Sequence, residues 1–418
     1  MLQPPSLQPL VPQQYRLTNG NTVYYFTNES LQLVKLDFTF EAGSAYQQLK
    51  SQAHAANQLM AEATLYHTAQ EIADFMDFRG IVIERMADVT QGNISVYFLR
   101  KYAAELLPLL NEMFSAPLVT AQLFDAYISR RRLKIAQGFH QTNYVARNHY
   151  YELLFGPQSP MGTYAKPGDL DQLTLESVRQ FIARHYTLAH AHIVLSGLVD
   201  AALLDMVNQH LGQAIDSNPV TPYAHQGYQT FEQPCRKHVV VPNAVQSTLR
   251  IGNLLSMPWN SAEYAKFMVL NTVLGGYFGS RLMSNLREDK GYTYGVYSQT
   301  QVFRGAIVFY ITADVAAQAT QPAVDEVLHE VRRLQTELIP DVELDRVRNF
   351  MMGDFIRSID GTFEISERYR QMVANSINDQ FAVNYLQAVQ QVTPQQLQQL
   401  AQRHLSSLFV VTAGPEEV

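Results

Sequence analysis

Between Leu49 and Ile72 the chain reads LKSQAHAANQLMAEATLYHTAQEI, and its composition predicts one helix. Within it His54, Asn57 and Gln58 keep the spacing of the zinc motif H-x-x-E-H, with Asn in the Glu slot and Gln in the second His slot. That motif works because two imidazoles four residues apart share one helix face, while the Glu between them holds and deprotonates a metal-bound water. Asn57 cannot act as a base, and Gln58 is a poor ligand for zinc beside an imidazole. His54, Asn57 and Gln58 therefore read as degenerate metal-site positions, with His54 hydrogen-bonded locally. No metal and no catalytic residue is expected in this chain.

Other histidines add little. His67 and Glu71 fall four apart on the same expected helix face, a spacing that chance supplies often. His190 and His192 alternate on an expected strand and would face one side, but no third ligand is near in sequence, so they read as a structural pair.

The elements that must position these residues repeat. The segment from Leu173 to Tyr186 aligns with that from Val392 to Leu405 at a constant offset of 219. Each copy has a Thr suited to an N-cap, a helical apolar rhythm, an Arg-His end and then a β-rich run, HAHIVLSGLVD or LFVVTAGPEEV. Upstream the order is kept: a strand (Val34 to Phe40, Thr248 to Leu254), a helix, further strands, and a long helix around Asp125 or Asp345. A hairpin is expected at LTNGNTVYYF from its Asn-Gly pair. The expected organisation is α+β, two tandem homologous domains, each a mostly antiparallel sheet layered with helices. Residues 1–211 form the first domain, the polar, Pro- and Gly-containing segment 212–235 a linker, and residues 236–418 the second.

Composition narrows the function classes. In 418 residues, 47% are apolar and 17% charged, as in ordinary globular proteins. A net charge of -7 without a basic run argues against nucleic acid as a partner. No run reaches the length of a membrane span, and the N-terminus, with three prolines in its first eleven residues, reads as an extended arm rather than a signal peptide. The single cysteine, Cys235, cannot form an internal disulfide. The expected location is cytoplasmic, with no membrane partner.

Four stretches carry a family resemblance: FTFEAGSAYQ; the HAANQ helix followed by HTAQEIADFMDFRG; RNHYYELLFGPQSPMGTYAKPGDLDQLTLESVRQFIARHY; and LGGYFGSRLMSNLREDKGYTYGVYS. Through them the chain resembles the pitrilysin-like (inverzincin) zinc peptidases, in the half-length branch that includes the mitochondrial processing peptidase subunits and bacterial two-subunit peptidases. The resemblance implies a third carboxylate zinc ligand from a later helix, where this chain reads Ile128-Ser-Arg-Arg-Arg-Leu-Lys-Ile135, too cationic for a metal. It also implies an Arg-Tyr pair that contacts substrate, matched by Arg287 and Tyr294, seven residues apart. Independently, a phenol and a guanidinium are suitable donors to the oxyanion of amide hydrolysis. Gly275, Gly276 and Gly291 would allow close backbone approach around that pair.

Lost zinc residues beside kept substrate-contact residues are the pattern of this family's non-catalytic partner. The resemblance then implies a heterodimer with a zinc-bearing homologous peptidase subunit, a chamber for peptide substrate, and Arg287 and Tyr294 acting in trans; the isolated chain could pair with itself. The alternative is a scaffold or peptide-binding homologue with no peptidase role. LGGYFGS is too short to equate with the glycine-rich loop of the processing peptidase's non-catalytic subunit, so presequence processing is not implied.

Overall fold

The computed structural model describes residues 11–213, 220–223, 230–374 and 380–416. The expected arm over the first ten residues lies outside them, as do residues 214–219 and 224–229 of the expected linker.

Eleven strands are found among the described residues: β1 (Gln13–Arg16), β2 (Thr22–Thr27), β3 (Leu33–Phe40), β4 (Val82–Ala87), β5 (Gly92–Leu99), β6 (His192–Gly197), β7 (Arg236–Val240), β8 (Gln246–Leu255), β9 (Thr293–Phe303), β10 (Ala306–Ala316) and β11 (Phe409–Gly414). They form two sheets, ordered β1-β2-β6-β3-β5-β4 and β7-β11-β8-β10-β9. Apart from β1, the two orders superpose strand for strand. The parallel pair falls at the same place in each, β2 with β6 and β7 with β11, and the remaining pairs are antiparallel. The sequence repeat is thus a repeat of topology, and the fold is α+β. Its two aligned helices, Leu175–His185 and Pro394–His404, both start from a capping threonine, Thr174 and Thr393.

Strand β3 explains why each sheet has helices on both faces. Its even positions Val34, Leu36, Phe38 and Phe40 are buried in the first core, but Lys35, Asp37 and Thr39 on the other face are buried too. What covers them comes from the other half. Helix Thr362–Ala374 lies on β2 and β6, where Glu367 pairs with Lys35 at 3.1 Å, Arg370 donates to Asn93 Oδ1 at 2.9 Å and Ser366 donates to Ser196 at 3.0 Å. Helix Thr142–Phe155, its counterpart in the repeat, crosses the other way onto β8 and β11. It docks through an apolar cluster of Tyr150, Leu154, Leu254, Val308, Phe409 and Val411, and the Tyr150 hydroxyl donates to the Phe309 carbonyl at 2.6 Å. Each half therefore lends one helix to its neighbour's sheet, by apolar packing in one direction and a charge network in the other.

The stretch from Leu49 to Ile72, expected as one helix, is two. A helix spans Gln52–Leu59 and another Ala69–Arg79. The break is local chemistry: Thr68 and Glu71 form a capping box that starts the second helix, and Thr64 bridges to Pro117.

Candidate functional site

The Gln52–Leu59 helix is rich in alanine, and Ala53, Ala55, Ala56 and Leu59 bury it in the first core. This fixes which polar atoms face where. Asn57 is fully buried, and its amide donates to the Asn93 carbonyl of β5 at 3.1 Å. Gln58 donates to Asn57 Oδ1 at 3.2 Å and to the Arg85 carbonyl at 3.1 Å, while Arg85 returns a bond of 2.7 Å to the Gln58 carbonyl. Both amides are thus consumed in tying the helix to strands β4 and β5. An Asn and a Gln suit this task because each carries a donor and an acceptor.

His54 has a partner that the sequence reading missed. Its Nδ1 lies 2.9 Å from the hydroxyl of Tyr127, on helix Ala121–Gly138. Burial, with Arg131 and Lys134 beside it, pushes the imidazole from its ordinary 6.5 down to about 3, so the ring is neutral near pH 7. Burial likewise pushes the Tyr127 phenol up. Tyr127, Arg131 and Lys134 stand at i, i+4 and i+7 and so share one helix face. That spacing was the available signal, but a search for carboxylates passes over a tyrosine.

These residues do not fit a zinc ion. One imidazole nitrogen is taken by a phenol, the two amides serve the backbone, and the helix opposite brings cations where a third ligand would have to be anionic. Among the described residues, no group of three His, Cys, Asp and Glu side chains could hold a metal.

The other histidine expectations need correction. His67 precedes the Thr68 cap and so shares no helix face with Glu71; its Nδ1 meets Glu112 at 2.7 Å instead. His190 ends a 3-10 turn, and only His192 is on a strand. His192 stacks on Tyr24 with ring centroids 5.1 Å apart and neither ring nitrogen has a partner, so the two are not a hydrogen-bonded pair.

Arg287 and Tyr294 flank a tight reversal in the second half. Two stretches here, Thr272–Gly276 and Met283–Asp289, are π-helical, a rare conformation concentrated at functional sites. Arg287 is carried by the second stretch. The chain then turns through Gly291 at φ +65, where a side chain would be strained, and enters edge strand β9 with Tyr294 near its start. Gly275 is required by packing: a Cβ there would stand 2.6 Å from the backbone nitrogen of Ser298 on β9. Behind the reversal Asn285 donates to Glu326 at 3.0 Å and to Glu330 at 2.8 Å, anchoring the π-helical stretch to helix Thr320–Thr336.

The side chains of Arg287 and Tyr294 are left open by this framework. Tyr294 is 94% exposed, and the Arg287 guanidinium lies over the Phe278 ring at 4.7 Å. Neither makes a hydrogen bond or ion pair among the described residues, and none links them to His54. A guanidinium over an aromatic face is attracted by the ring without using its N–H donors in hydrogen bonds.

Comparison with known proteins points the same way. Residues 172–351 match the peptidase M16 inactive domain. The chain is similar to peptidase M16 proteins. It is 23% identical to the non-peptidase homolog YmxG of Helicobacter pylori over 79% of this chain and 77% of that one. It is 21% identical to the uncharacterized zinc protease YmxG of Bacillus subtilis over 84% and 85%. In fold it matches the peptidase M16 inactive domain from Pseudomonas fluorescens with a TM-score of 0.84 at 20% identity, covering 97% of this chain and 98% of that one. M16 relatives thus carry both zinc-protease and non-peptidase names, and this chain has the incomplete motif.

Proposed function

We propose that this chain is the non-catalytic, substrate-binding subunit of a cytoplasmic two-chain metallopeptidase. The partner, a homologous chain with an intact H-x-x-E-H, contributes zinc and the general base. This chain contributes Arg287 and Tyr294, which donate to the carbonyl oxygen of the peptide bond being cleaved as negative charge develops on it. The observation that carries the reading is a contrast within one molecule. The metal slot is filled by its own side chains, while Arg287 and Tyr294 are held on a π-helical turn and an edge strand without a hydrogen bond or ion pair among the described residues.

The test is reconstitution with a zinc-bearing homologue of similar length and hydrolysis of a quenched peptide. Arg287→Ala should lower kcat of the assembled pair on the order of 100-fold, the cost of one lost oxyanion donor, while assembly measured by size exclusion is unchanged. Full activity of the assembled Arg287→Ala pair would contradict the assignment.

A further inference from the structure

The mismatch between the degenerate motif and zinc has a positive side. Tyr127, Arg131 and Lys134 present one face of helix Ala121–Gly138 to His54, fixed there by the Tyr127–His54 hydrogen bond. Neither Arg131 nor Lys134 makes an ion pair or hydrogen bond among the described residues, and the Nε of Arg131 is buried with no partner. Two nearby cations, Arg132 and Arg85, are paired. Arg132 donates to Asp171 at 2.7 Å and to the Pro167 carbonyl at 3.0 Å, and Arg85 pairs with Glu62 at 3.1 Å. Glu62, four residues beyond Gln58, is thereby already engaged.

A buried guanidinium N–H without an acceptor carries a desolvation penalty, and Lys134, one turn further on, adds an exposed positive charge. One ligand answers both: an oxyanion set between Arg131 and Lys134. We infer that the former metal slot of this chain is an oxyanion site that binds the terminal carboxylate of a peptide. A planar carboxylate matches the edge of a guanidinium in two parallel bonds, with the ammonium as a further point charge. The choice of a peptide as carrier rests on the substrate-binding role proposed above. The site would hold a peptide by its end at the position where a complete zinc motif would polarise its carbonyl.

Calorimetry on the purified chain alone, at low ionic strength, tests this independently of Arg287 and of any partner. The probes are acetyl-trialanine with a free C-terminal carboxylate, its C-terminal amide, and inorganic phosphate. The acid should bind at least about tenfold more tightly than the amide, and Arg131→Gln with Lys134→Gln should weaken the acid by about tenfold or more, the loss expected of charge-assisted bonds. Raised salt should weaken it as well. Thermal unfolding of the double variant near that of the parent shows that the fold is kept; a further variant, Arg132→Gln, on another side of the helix, should leave binding unchanged. Equal binding of acid and amide, acid binding undiminished in the double variant, or binding of phosphate without the acid would each overturn the assignment. A negative result here together with a loss of activity in the Arg287→Ala pair would leave the subunit role standing, and the reverse would separate the two the other way.

Discussion

At the scale of single residues, the degenerate motif is rebuilt rather than merely eroded. Asn57 is fully buried and its amide serves the Asn93 carbonyl. Restoring the motif letters should therefore not restore the metal. In Asn57→Glu with Gln58→His, a carboxylate replaces the amide donor at a buried position, and Arg131 and Lys134 still face the slot. The variant should bind no stoichiometric zinc and should lose about 2 kcal/mol of stability, the scale of a buried carbonyl, here that of Asn93, left without its donor. Metal analysis and chemical unfolding of the same preparation check both. The substitution was legible in the sequence, since Asn57 has no basicity and Gln58 little affinity for zinc. What replaced the metal was not, because the Tyr127 hydroxyl lies 73 positions from His54 in the chain and nothing local marks it.

At the scale of elements, the strands, the paired capping threonines and the long helices of each half were readable from alternation, caps and the offset repeat. The exchange of helices was not. An amphipathic pattern tells that Thr142–Phe155 and Thr362–Ala374 each have a face to bury, but not that each face belongs to the sheet of the other half. Nor does sequence show a π-helical turn, which follows from packing such as the approach of Gly275 to Ser298. The two exchanged helices differ in chemistry, with a consequence for pH. Beneath Thr362–Ala374, His192 is pushed down from its ordinary 6.5 to about 4, by burial and by Arg370. Glu367 on that helix, despite burial, is held down to about 2 by Arg370 and Lys35. For His192 the unfolded chain binds the proton more readily, so stability is whole above pH 6.5 and falls as the pH drops toward 4. At pH 5 the loss is about 2 kcal/mol. The Glu367 contribution is present above its ordinary 4.5 and is lost only as the pH falls from there toward 2. Chemical unfolding at pH 7 and pH 5 should show the His192 loss in the parent, and His192→Phe should make the pH dependence shallower by about that amount. An unchanged slope in the variant would remove His192 as the cause.

At the scale of the whole molecule, the two halves have the same sheet order but divergent sites. The first half keeps the helix position of a metal motif and fills it with a phenol, two amides and cations. The second keeps an arginine and a tyrosine on an open reversal of the chain. On the proposed reading, the second half offers donors to a reacting carbonyl and a second chain activates the water. The family was legible because the second-half run LGGYFGSRLMSNLREDKGYTYG is so constrained: a glycine at the Ser298 contact, a glycine at positive φ, and Asn285 clamped to two glutamates. The most direct test of the central claim is the zinc content of the chain purified without chelators, assayed alone on a quenched peptide. The account predicts less than stoichiometric zinc and no hydrolysis above background, with or without added metal. One zinc per chain, lost together with peptide cleavage in His54→Ala, would contradict it.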